Sequence, residues 1–266
     1  MKTSHGPSRG GLPGVLLAVL WVLAGCGAEE APVPLVKPGF GSARLATRPG
    51  APTAPSSAKG ELPLLTDATE ARGVLLVPES YQPGRPAPLV VLLHGAGGTA
   101  EGILDLLREH AEERGALLVV PQSVGRSWDL MAERKFGTDL ERLDAALARV
   151  FREYSVDPQL IGISGFSDGA SYALSVGLTN GDVFQGITAF SPGFVAASEL
   201  RGKPDVFISH GTRDAILPVE SGGRYITGQL EQEGYTVVYR EFEGPHTVPS
   251  AVARDGFIFL AHTLLP

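Results

Sequence analysis

The chain has 266 residues, 43% of them hydrophobic, which is enough for one core of full size and argues against wholesale disorder. Charge divides it: residues 1–60 carry six Lys/Arg against two Asp/Glu, and residues 61–266 carry 16 against 27. An acidic globular part grips phosphate backbones poorly, which excludes nucleic-acid binding, and a single cysteine, Cys26, excludes a disulfide framework and a cysteine-rich metal site.

In chain order, Lys2 and Arg9 precede an apolar run of 14 residues at 12–25 (LPGVLLAVLWVLAG). The run is too short to span a bilayer and suits the hydrophobic region of a secretory signal over residues 1–25. It ends in Leu23-Ala24-Gly25-Cys26, which resembles the bacterial lipobox. That resemblance implies acylation of the Cys26 thiol, which would anchor an exported protein to a membrane surface without a spanning helix. Gly27, in place of an aspartate, points to the outer membrane; an ordinary cleaved signal would instead release a secreted protein. Residues 26–60 have no period of 2 or 3.6 and prolines recur in them. They are expected to form a disordered Pro/Gly/Ala-rich tether, with Leu35, Val36 and Phe40 as side chains able to dock.

Residues 61–266 alternate short apolar runs with amphipathic stretches, the pattern of an α/β domain with a mostly parallel sheet and helices on both faces. Strands are expected at Gly73–Val77, Leu89–Leu93, Leu117–Val120, Leu160–Ile163, Gly186–Phe190, Val206–Ser209 and Thr236–Tyr239. Helices are expected over Ile103–Ala111, Thr138–Tyr154, Ala170–Gly177, Val219–Gln232 and Val248–Leu265. No internal repeat is present.

The strand at Leu160–Ile163 runs into Ser164-Gly165-Phe166-Ser167-Asp168-Gly169 and then into a helix. This is a G-x-S-x-G pattern with the strand and helix it requires, where a sharp turn lifts the serine hydroxyl above the sheet. Ser167 is therefore the candidate nucleophile. It needs a base that follows in the chain and stands on a loop, which leaves His246, in Glu243-Gly244-Pro245-His246-Thr247, ahead of His262 in the final helix. The acid between them is expected at Asp214, in the turn after Val206–Ser209, rather than at Asp205 or Asp182. The turn His94-Gly95-Ala96-Gly97-Gly98 after an early strand offers a backbone donor at Ala96. With the Asp168 amide at the start of the helix it would form an oxyanion hole. His94 is expected to brace that turn, and His210 to be a buried, hydrogen-bonded structural residue.

Together HGAGG, GFSDG, HGTRDAILP and GPHTVP resemble the α/β-hydrolase superfamily over about residues 70–266, and most nearly its bacterial phospholipase/carboxylesterase-type serine esterases. Pro245 departs from the glycine that often precedes the histidine. The resemblance implies two-step ester hydrolysis through an acyl-enzyme on Ser167, with no metal or organic cofactor. A peptidase or amidase on the same scaffold is the alternative within catalysis, and a catalytically idle binding module the alternative outside it. With 14 residues between Phe190 and Asp205 there is no room for a large cap. An open site lined by Phe166, Phe194 and Trp128 is expected, suited to short-chain or surface-displayed esters, and the acidic domain should mildly repel anionic ones.

Overall fold

The computed structural model describes Met1, residues 34–65 and residues 73–263. The signal segment, Cys26 and the tether as far as residue 33 lie outside the described residues. Eight strands form one sheet: β1 (Gly60–Pro63), β2 (Gly73–Val77), β3 (Ala87–Leu93), β4 (Leu117–Pro121), β5 (Val156–Phe166), β6 (Gly186–Phe190), β7 (Asp205–Gly211) and β8 (Val237–Phe242). Their order is 1-2-4-3-5-6-7-8. β2 runs antiparallel to both β1 and β4, and all other neighbours pair in parallel.

Every residue of β2, β4 and β6 is buried, as strands covered on both faces require. Alternation along β3 divides the core: Leu89, Val91 and Leu93 face one layer, Val90 and Leu92 the other. The first layer holds α4 (Thr138–Glu153), α5 (Asp168–Thr179) and α6 (Tyr225–Gln232). The second holds α1 (Ala100–Leu104), α2 (Arg108–Arg114) and α7 (Ser250–Thr263). A single turn, α3 (Asp129–Ala132), precedes α4. Residues 191–204, between β6 and β7, contain no helix, so no cap stands over this part of the carboxyl edge.

Two expected helices are interrupted. The stretch expected over Ile103–Ala111 breaks between α1 and α2, where a tight turn sets both Leu104 and Leu107 into the core. The one expected over Val219–Gln232 becomes regular only at Tyr225, because Gly222 leaves helical geometry (φ −97°, ψ −106°).

The tether is corrected more substantially. From residue 34 to about 58 the chain is a strap fastened along the domain. Leu35, Ala43 and Leu45 are buried. Val36 forms a parallel bridge with Ala197, the Lys37 amide donates to the Ala197 carbonyl (2.8 Å), and the Ala197 amide donates to Leu35 (3.0 Å). Asn180 accepts from the Leu45 amide (2.9 Å) and donates to the Ala43 carbonyl (2.8 Å). Arg44 forks onto Asp182 at 2.6 and 2.9 Å. Side chains distant in sequence thus satisfy a backbone that forms no ladder of its own.

Candidate active site

Ser167 stands between the last residue of β5 and the first of α5, with φ +57° and ψ −121°, a backbone region that non-glycine residues seldom occupy. Two glycines make the turn possible. A β-carbon at Gly165 would lie 2.3 Å from the Gly169 carbonyl oxygen, and one at Gly169 would lie 2.3 Å from the Leu93 carbonyl oxygen. The Ser167 amide donates to the Phe190 carbonyl at the end of β6 (2.9 Å), which holds the strained residue over the carboxyl edge of the sheet.

Asp214 and His246 arrive on the loops after β7 and β8. Two backbone bonds lash these loops together: the Thr212 amide donates to the Phe242 carbonyl and the Arg213 amide to the Gly244 carbonyl, each at 2.9 Å. His246 Nδ1–H donates to Asp214 Oδ2 at 2.6 Å, which leaves Nε2 to accept from the Ser167 hydroxyl at 2.8 Å. The Phe166 ring lies against the imidazole, centroids 4.7 Å apart. Phe166, expected in the pocket lining, packs on the imidazole and supports it. Asp214 Oδ1 accepts from the amides of Ile216 and Leu217, both at 2.9 Å. Burial pushes the Asp214 carboxyl up, but the Leu217 amide, His246 and the Ile216 amide outweigh it and hold it below the ordinary carboxylate range.

Sequence reasoning missed one partner of this carboxylate. His210, wholly buried, takes a hydrogen bond from the Gly223 amide on Nδ1 (3.1 Å), so its proton is on Nε2. From there it donates to the Leu217 carbonyl at 2.7 Å and lies 3.2 Å from Asp214 Oδ2. The spacing of His210 on a strand and Asp214 in the turn beyond it gave no signal of this contact.

The turn after β3 packs directly on the serine: a β-carbon at Gly95 would be 3.2 Å from the Ser167 Cβ. Among the described residues, neither the Ala96 nor the Asp168 amide donates to a protein acceptor. His94 is buried, with Nδ1–H donating to the Gly95 carbonyl (2.7 Å) and Nε2 accepting from the Ser123 amide (3.2 Å). Burial, only partly offset by the Gly95 carbonyl and by Asp168 and Glu101, holds its pKa below the usual histidine value. It braces the turn.

Trp128 requires a correction. At 1% exposure it lines no open site; its indole Nε1–H donates to the His94 carbonyl (2.8 Å) and its ring packs between His94 and Tyr172. Burying a large ring against the turn fixes the turn from behind. Ser127 beside it donates to Asp168 Oδ2 (2.5 Å), another contact that no sequence spacing announces. Phe194 is half-buried and lines a cavity with Leu130 and Met131.

The structure thus brings Ser167, His246 and Asp214 into one hydrogen-bonded line, and the turn after β3 packs against the serine. Comparison with known proteins bears on the family and the fold. The family model Esterase, described as "Putative esterase", matches residues 68–214. Feruloyl esterase C of Emericella nidulans is 25% identical over 175 residues, covering 61% of this chain and 63% of that protein. The chain thus spans somewhat less than two thirds of the length of this relative. Among solved structures, esterase PE8 superposes with a TM-score of 0.60 at 26% identity, covering 72% of this chain and 98% of the other. The phospholipase/carboxylesterase of Dyadobacter fermentans does so with a TM-score of 0.51 at 26% identity, covering 75% and 99%. With its eight-stranded sheet in the α/β-hydrolase arrangement and its match to the family model, the chain belongs to the Esterase family.

Proposed function

We propose that this protein hydrolyses carboxylic esters through an acyl-enzyme on Ser167. The observation that carries the reading is the unbroken line Asp214–His246–Ser167. His246 Nε2 takes the hydroxyl proton as Oγ attacks the ester carbonyl, and Asp214 holds the imidazole in the required tautomer and stabilises its charged form. Negative charge gathers on the carbonyl oxygen between the Ala96 and Asp168 amides. One such donor is typically worth about 10²–10³ in rate. His246 then gives its proton to the leaving alkoxide. Water repeats the sequence on the acyl-enzyme, using the same base.

The carboxyl edge without a cap supports short-chain or surface-displayed esters as substrates, and the resemblance to a feruloyl esterase supports aryl-bearing ones among them. The test is fluorophosphonate labelling followed by a panel of p-nitrophenyl esters. Ser167→Ala should abolish labelling and lower kcat by about 10⁴-fold or more. Labelling that survives the substitution would move the nucleophile elsewhere, and p-nitroanilide turnover equal to ester turnover would favour an amidase.

The lipobox-like sequence ending at Cys26 supports export and acylation, with the catalytic domain held at the cell envelope. Cys26→Ser should shift the protein from the membrane to the soluble fraction; unchanged fractionation would remove that part of the reading.

A further inference from the structure

Phe194 leads to a second feature of the carboxyl edge. Along α5, Ser171, Ser175 and Thr179 each donate to the carbonyl four residues back and accept amides from the segment after β6. Ser171 takes the amides of Gly193 (3.0 Å) and Phe194 (3.4 Å), Ser175 that of Ala196 and Thr179 that of Ser198. Ser171 is one helical turn, about 5.4 Å, beyond Ser167. The Phe194 backbone is therefore pinned next to the first turn of the helix that carries the nucleophile.

Beside it lies a cavity of about 280 Å³ lined by Lys37, Phe40, Leu130, Met131, Arg134 and Phe194. Its walls come from the loops after β4 and β6 and from the strap. They are stapled together: Lys37 through the Ala197 carbonyl, Phe40 through its carbonyl to the Phe136 amide (2.9 Å). The floor is apolar and two cations sit over it. Lys37 Nζ is 5.7 Å from the Phe194 ring centroid and the Arg134 guanidinium 5.5 Å from that of Phe40.

Among the described residues neither cation has a carboxylate within ion-pair distance; the Glu133 next to Arg134 pairs with Lys135 at 3.1 Å. Burial and the charge of Arg134 push the Lys37 ammonium below its ordinary value, so the two cations share one field. Arg134 also holds a left-handed backbone, φ +57°. In a chain of net charge −7, two cations beside an apolar cleft, neither with a carboxylate partner among the described residues, set up a local field of the opposite sign to the whole.

We infer that this cavity receives one limb of the ester substrate, apolar along its length and carrying a carboxylate at its end, which Lys37 and Arg134 meet. The inference rests on the esterase reading, and it reverses, at this cleft, the repulsion of anions expected from overall charge.

The test compares matched pairs of esters. On the acyl side the pair is p-nitrophenyl hexanoate and p-nitrophenyl hydrogen adipate, which differ by a terminal methyl against a carboxylate. On the alcohol side it is 4-methylphenyl acetate and 4-(carboxymethyl)phenyl acetate. In one pair the anionic-to-neutral ratio of kcat/KM should fall about fivefold in the Lys37→Met/Arg134→Gln double variant. Lys135→Gln should leave that ratio at the wild-type value. In the wild-type protein alone, raising KCl from about 0.05 to 0.5 M should erode the same ratio. Ratios that ignore both the substitutions and the salt, in both pairs, overturn the inference while neutral-ester turnover and Ser167 labelling leave the esterase reading standing. Absence of any turnover or labelling overturns both.

Discussion

Asp214 is held more completely than orientation of one imidazole requires. Its Oδ1 takes two amides, and its Oδ2 faces both His246 at 2.6 Å and His210 at 3.2 Å. Because the Gly223 amide fixes the His210 tautomer, the Nε2–H always points towards the Leu217 carbonyl and the carboxylate. His210 is thus a positioning residue for the acid. His210→Phe should lower kcat by about tenfold with little change in KM and shift the pH profile of kcat/KM, since the field at Asp214 changes. His210→Gln, whose amide can replace the Nε2–H, should restore most of both. A Phe variant that only melts earlier, with an unmoved pH profile, would make His210 a packing residue. The strained turn that carries Ser167 was legible in the sequence because it is local: Gly165, Ser167 and Gly169 lie within five residues. The meeting of His246 and Asp214 with Ser167 was legible from chain order and from the strands they follow. The second histidine's contact was not, because it depends on where the turn at 214–218 folds back, and that turn is shaped by the carboxylate itself.

At the scale of elements, the core strands were legible as near-continuous apolar runs, while the strap was misread. Lack of periodicity and recurring proline exclude helix and ladder, and neither excludes an extended chain satisfied by side chains of another element. Asn180 supplies both a donor and an acceptor to the strap, and Arg44 and Arg48 both reach Asp182. Nothing in residues 34–60 announces those partners. Asn180→Ala would leave the Leu45 amide and the Ala43 carbonyl buried without them. It should cost about 1–3 kcal/mol in urea unfolding and open the strap to limited proteolysis between residues 34 and 58. Asp182→Asn should cost much less, because its ion pairs with Arg44 and Arg48 are partly exposed and screened. Equal losses from the two substitutions would mean that the strap is held by surface charge rather than by its buried amides.

For the whole molecule the titrating groups act mostly in one direction. Arg44 holds Asp182 far below the carboxylate range, Arg224 and Tyr239 lower Glu241 against its partial burial, and Asp214 is lowered as described. Each depressed carboxylate contributes stability that is complete above its unfolded value near 4 and is lost as pH falls through its lower folded value. His94 is lowered by burial, so between the unfolded histidine value near 6.5 and its folded value the unfolded chain binds the extra proton, and stability falls with pH there too. Asp139 opposes them. Its raised carboxyl, buried and facing Asp129, is relieved by protonation, so its share of stability rises as pH drops through its folded value. Stability should therefore decline in two stages, a first as pH falls below about 6.5 and a second below about pH 4. His94→Gln should flatten the first stage and leave the second, as read by urea unfolding at pH 7.5, 5.5 and 3.5. If the variant loses as much between pH 7.5 and 5.5 as the wild type, the first stage belongs to other groups and the turn beside Ser167 does not set the acid limit of the fold.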